Sequence, residues 1–257
     1  MIQEFRVDKY KLLFDLQPEH FVSDHNLLWY AQNRQYPEPE VVQVMLRALK
    51  PGDCAVDAGA NVGVFTVLMS KIVGEHGRVI AVEPDERNNA KLRKNLDINS
   101  CGNVEAWVYA LGRDRGQSGI RHHADNGQSC LSSAIVDQAV AVDTLDHVLR
   151  RLPKMPKLLK LDIEGSEVAA LVGCTYDFPV IVAEVNDKAL QRAGTSPADL
   201  FTLLRERGYH RYLPHANGAM PSRVLSSQAV KLTRENTNFL FARPGLVENE
   251  LWAEVEA

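Results

Sequence analysis

Apolar residues along the chain fall into short, nearly continuous blocks that alternate with segments of helical periodicity. The blocks at 54–57, 79–83, 104–109, 158–162 and 180–185 are too short for helices and too uniformly apolar for strands wet on one face. They predict strands covered on both sides. Between them, 62–73, 85–95 and 166–172 are predicted helices, with another at 197–207 after the last block. A further helix is predicted upstream from Val41, Val42, Met45, Leu46 and Leu49, ended by Pro51 and Gly52. Segments 208–213 and 238–242 supply two late strands. Repeated strand–helix units imply an α/β fold, a doubly wound, mostly parallel seven-stranded sheet of Rossmann-like type.

Two stretches depart from this rhythm. Residues 1–39 read as an N-terminal extension, a hairpin (Phe5, Val7, Tyr10, Leu12, Phe14) followed by a short helix, and are a candidate cover for an acceptor site. The remainder, 40–257, reads as one domain with an insertion at 112–139 that lacks apolar periodicity and is expected to be a loop or hairpin over the site. The insertion holds His122, His123 and Asp125, but adjacent histidines in an extended segment face opposite ways, which disfavours a metal cluster there. His210 and His215 have no partner that spacing identifies. Trp29, Tyr30 and Tyr36 are either acceptor-stacking rings or core.

The densest signal is Val56-Asp57-Ala58-Gly59-Ala60-Asn61-Val62-Gly63, where a predicted strand gives way to a helix. Glycines there permit a sharp turn and close approach of a ligand. The spacing is GxxxG rather than GxGxxG, and Asp57 precedes it; a carboxylate there repels a pyrophosphate and suits a cofactor bearing an ammonium. Glu83 follows at the end of the next strand, about 20 residues on, where an acid accepts hydrogen bonds from ribose hydroxyls. Helix capping by Asp57 and Glu83 is the alternative.

The segments VDAGANVGVFT, VIAVEPD, VDTLD, LLKLDIEGSEVAALVG and VIVAEV, taken together, resemble the FkbM family of S-adenosylmethionine-dependent methyltransferases of class I, over about residues 36–185. The resemblance implies methyl transfer, usually to an oxygen of a sugar or natural product. It places Asp57, Gly59, Ala60, Asn61 and Gly63 around the methionine part of S-adenosylmethionine, Glu83 and Pro84 at the ribose, and Ala110 and Leu111 at the adenine, with Asp162 facing the cofactor.

Acids at the carboxyl ends of strands are the candidates for chemistry. Asp162 and Glu164 are expected to orient the acceptor or take its proton, with Glu184 nearby and Lys160 as a functional amine or as ion partner of an acid. A metal reading has Asp162, Glu184 and Asn186 ligate Mg²⁺ or Ca²⁺. Glu167 is expected to favour a helix N-terminus. A formal charge of −4 over 257 residues argues against a nucleic-acid partner, and no apolar run approaches a membrane span. Four scattered cysteines suit a reducing, cytoplasmic setting. The expected partner is a small-molecule or glycan acceptor, and a homodimer is left open. N-methylation, a nicotinamide oxidoreductase and a non-catalytic cofactor-binding module are the competing functions.

Overall fold

The computed structural model describes residues 1–122, 129–132, 138–224 and 236–252. The elements are β1 (Ile2–Val7), β2 (Tyr10–Asp15), α1 (Val22–Gln32), α2 (Pro39–Ala48), β3 (Cys54–Ala58), α3 (Val64–Val73), β4 (Arg78–Val82), α4 (Glu86–Ile98), β5 (Val104–Trp107), β6 (Ala110–Leu111), β7 (Gly116–His122), β8 (Ser129–Ser132) and β9 (Gln138–Asp143). There follow α5 (Leu145–Leu149), β10 (Leu158–Leu161), α6 (Glu167–Val172), β11 (Val180–Asn186), α7 (Asp187–Arg192), α8 (Pro197–Glu206), β12 (His210–Leu213), β13 (Ser222–Val224), β14 (Asn236–Ala242) and a π-type turn at Val247–Leu251.

The central sheet runs β13-β12-β14-β11-β10-β3-β4-β5, with β5, β4, β3, β10 and β11 parallel and β14 antiparallel to β11. This is the doubly wound fold that the alternating pattern predicts; β13 adds an eighth strand at the edge. Every residue of β3 and β10 is buried, which explains their unbroken apolar runs. Alternate residues feed two cores. Ala55, Val79 and Ala81 pack with α2, α3 and the β1–β2 hairpin, whereas Val56, Ile80 and Val82 pack with α5, α6 and α8.

The described residues of the insertion include paired strands. β7 and β8 form a hairpin, and with β6 and β9 they make a four-stranded sheet in the order β6-β9-β7-β8. β9 was not predicted, because its alternation rests on Val140 and Val142 alone. Thr144 then caps α5 by accepting the His147 N–H. His123 and Asp125 lie outside the described residues. Among the described residues, no helix is long and apolar enough to cross a membrane.

Candidate active site

Parallel strands create a crevice where their connections diverge to opposite sides. Here that point lies between β3, which leads through α3 to β4, and β10 on its other flank. A cleft of about 300 Å³ opens there, lined by Gly59, Asn61, Val82, Glu83, Pro84, Tyr109, Ala110, Leu111, Asp162, Glu164 and Glu184, and by Ser23, Asn26, Glu38, Asn88 and Asn236.

Gly59 makes the turn at the end of β3. Its φ is +81°, and a Cβ there would sit 1.6 Å from the Asp162 carbonyl oxygen, so β3 and the β10 turn approach too closely for a side chain. Gly59→Ala combines a left-handed conformation, about 1–2 kcal/mol, with overpacking of about 1–3 kcal/mol. Gly52 has a similar φ of +86° but open space around it. In denaturant unfolding, Gly59→Ala should therefore lose more stability than Gly52→Ala; equal losses would mean that the contact with Asp162 contributes nothing.

The Gly59 and Ala60 N–H groups donate to the Val82 carbonyl at 2.9 and 3.1 Å, tying the turn to β4. Glu83 then accepts from the Asn61 N–H at 2.8 Å and the Asp85 N–H at 3.0 Å. Both oxygens are thereby fixed at the cleft wall, each with acceptor capacity left over. Burial pushes the Glu83 carboxyl up to about 7, against the pull of those N–H donors. Asp57, Ala60 and Gly63, by contrast, are not among the residues lining the cleft. Asp57 is buried, accepts from the Thr66 hydroxyl at 2.5 Å and faces Lys160 across the β3–β10 pairing. It supports the wall from behind.

On the opposite wall, Asp162 follows the last residue of β10, and the next turn places Glu164 at φ +52° and Gly165 at φ +106°. Glu167 holds this turn: its Oε1 accepts the N–H groups of Ile163 at 3.0 Å and Gly165 at 3.2 Å, a more specific role than a favourable charge at a helix start. Of the six described non-glycine residues with positive φ, Glu38, Asn61 and Glu164 line the cleft, whereas Asp8, Arg34 and Ser100 lie elsewhere.

Asp162, Glu164 and Glu184 each place one oxygen within 4.8 Å of the others. Asn186 does not join them; its Oδ1 accepts the Ala189 N–H at 3.0 Å and caps α7, so Glu164 takes the place expected for the amide. Burial, with Asp162 and Glu167 nearby, raises the Glu164 carboxyl to about 8. Burial, with Asp162, Glu38 and Glu164 nearby, raises Glu184 well above the usual carboxylate range. Lys160 lies behind the wall, 4% exposed, with Nζ 2.9 Å from Asp162 Oδ2 and 5.1 Å from the Phe65 ring centre. Burial disfavours its charge, but Asp162, Asp57 and Glu38 outweigh that and raise its pKa. Lys160 is thus an ion partner rather than a free amine.

Glu38 escaped the sequence reading. It stands between Pro37 and Pro39, with no local pattern to mark it. Asn238 of β14 donates to Glu38 at 3.1 Å and to Glu40 at 3.2 Å, and burial pushes Glu38 up to about 7. Tyr36 is core, its hydroxyl donating to the Val64 carbonyl, while Trp29 is exposed against Tyr30. His210 and His215 pair with Arg223 and Ser222 across the β12–β13 hairpin.

Residues 57–211 match the family model described as the methyltransferase FkbM domain. No curated protein matches the sequence. Among solved structures, an rRNA methylase from Streptococcus thermophilus is 12% identical, covering 78% of this chain and 92% of its own, with a TM-score of 0.46. An S-adenosylmethionine-dependent O-methyltransferase from Thermotoga maritima is 14% identical over 81% of this chain and 66% of its own, with a TM-score of 0.44. Precorrin-6y C5,15-methyltransferase from Geobacter metallireducens is 16% identical over 79% and 86%, with a TM-score of 0.43.

Proposed function

Because the chain belongs to the FkbM methyltransferase family, we propose that it transfers a methyl group from S-adenosylmethionine to a hydroxyl oxygen of a small natural product or glycan. The observation that carries this reading is the pairing of two walls in one cleft: the glycine turn with Glu83 on one side, and Asp162, Glu164 and Glu184 on the other. The first wall offers acceptors suited to a ribose, with Pro84, Ala110 and Leu111 alongside for the adenine. The second offers carboxylates where an acceptor can be held and its proton taken up.

When bound, S-adenosylmethionine would supply an electrophilic sulfonium methyl group to the acceptor oxygen and leave as the neutral thioether, keeping the electron pair of the broken carbon–sulfur bond. Glu164 takes the hydroxyl proton. Burial raises its carboxyl to about 8, nearer neutrality than an ordinary carboxylate, as general base catalysis favours, and one of its oxygens is buried without a hydrogen-bond partner among the described residues. Asp162, held by Lys160, and Glu184, whose carboxyl is raised by burial and its acidic neighbours, orient the acceptor. The acidity of this wall repels anionic acceptors and also suits an amine, which is the second reading.

Calorimetric titration with S-adenosylmethionine, S-adenosylhomocysteine and NAD, followed by an acceptor screen with and without Mg²⁺, tests the proposal. Selective binding of the adenosyl sulfur compounds and methylation of a sugar hydroxyl are expected. Binding of NAD alone would overturn the reading, and a methylated nitrogen would replace it with the second. Turnover that requires Mg²⁺ or Ca²⁺ would make the three carboxylates a cation site rather than a proton acceptor.

A further inference from the structure

The first 56 residues lie outside the family match, yet Ser23 and Asn26 of α1 line the cleft beside Glu83, Pro84 and Asn88. Asp24, between them in sequence, is fully buried, and its Oδ2 meets Lys91 Nζ at 2.6 Å, with the lysine side chain 3% exposed. The same oxygen accepts the Gln17 N–H at 2.6 Å, and the Lys91 ammonium lies 4.7 Å from the centre of the Phe21 ring at the start of α1. Lys91 is three residues beyond Asn88, so α4 presents one side chain to the cleft and, a turn later, a cation to the segment that walls it.

The docking continues along α4 at four-residue spacing. Asn95 accepts the Asp15 N–H at 3.0 Å, Asn99 accepts the Leu13 N–H at 2.9 Å, and Lys94 pairs with Asp15 at 2.6 Å. Those contacts hold the hairpin; the helix turn that carries Ser23 and Asn26 is held by the Asp24–Lys91 pair, by the Gln17 N–H on the same carboxylate and by Leu27, which is buried in the core. A buried ion pair is a poor source of net stability compared with apolar residues of the same volume, but it fixes a register that apolar packing leaves loose.

We infer that Asp24 and Lys91 are positioning residues that lock α1 as a wall of the cofactor site, with Ser23 and Asn26 contacting bound cofactor at its Glu83 end. The inference rests on reading the cleft as the site of S-adenosylmethionine. It makes cofactor affinity depend on a segment that the family match does not include.

The test is calorimetry of the full chain with S-adenosylhomocysteine, joined to hydrogen exchange of α1. Asn26→Ala removes only an exposed side chain and should raise the Kd roughly 3–10-fold, the value of one hydrogen bond, with Tm unchanged. Asp24→Asn should raise the Kd by more, and should abolish the slowing of α1 exchange that the ligand produces in the wild-type chain. A pair with a merely structural role would lower Tm and leave both readouts alone. If Asp24→Asn fails to fold, Asn26→Ala and Ser23→Ala decide by the same affinities. Wild-type binding with unchanged Kd in the variants overturns this inference alone; no binding by the wild-type chain overturns the cofactor reading and this inference with it.

Discussion

Glu164→Gln is expected to lower the turnover of methyl transfer by about 10²–10⁴-fold, the usual contribution of a positioned general base, while changing affinity for S-adenosylhomocysteine little. The amide is close in shape to the carboxylate and cannot take a proton. In the wild-type enzyme the carboxyl is raised to about 8, chiefly by burial. A base works in its ionised form, so the wild-type rate should rise with pH through that value and level off above it. In Glu164→Gln this limb should vanish. A variant that keeps both its turnover and its pH limb would remove Glu164 from the chemistry and leave Asp162 as the proton acceptor. A large loss of cofactor affinity would instead place Glu164 among the groups that bind the cofactor.

Lys160→Met should be the most destabilising single change in the site. Removing one partner of a buried ion pair typically costs about 3–5 kcal/mol, here because Asp162, Asp57 and Glu38 lose the cation they share. For a chain of this size that corresponds to a Tm lower by roughly 6–20 °C.

The pH dependence distinguishes this cause from lost packing. Glu38 stands at about 7 even with Lys160 present, and Asp57 is also raised by burial. Without the lysine both should rise further. A carboxyl whose folded pKa is raised holds a proton that the unfolded chain releases, so its contribution is present at low pH and is lost as pH climbs toward the folded value. The deficit of Lys160→Met relative to wild type should therefore be smallest near pH 5 and grow through pH 7. Lys160 has a raised pKa of its own, so its stabilisation persists below its unfolded value and is lost only in strong alkali. A deficit independent of pH between 5 and 8 would show that packing of the lysine stem, not its charge, is what the substitution removes.

The wall proposed for the cofactor was legible because its determinants are local. A strand, a glycine turn and a helix follow one another within 54–73, and Glu83 ends the next strand, so periodicity and one close glycine are enough to mark them. The sequence by itself also determined the fold class, since strands buried on both faces leave unbroken apolar runs.

The wall proposed for the acceptor is another matter. Glu38 meets Asn238, 200 residues away, only because β14 inserts antiparallel beside β11. Glu164 rather than Asn186 joins Asp162 because the turn after β10 is held left-handed by Glu167, while Asn186 caps α7. Ser23 and Asn26 line the cleft from a helix whose Asp24 pairs with Lys91 of α4, far along the chain. Strand order and inter-element docking bring such groups together, and neither leaves a trace in local periodicity. A residue's neighbours along the chain fix its conformation, whereas its chemistry at a cleft depends on charges that the sheet delivers from distant segments.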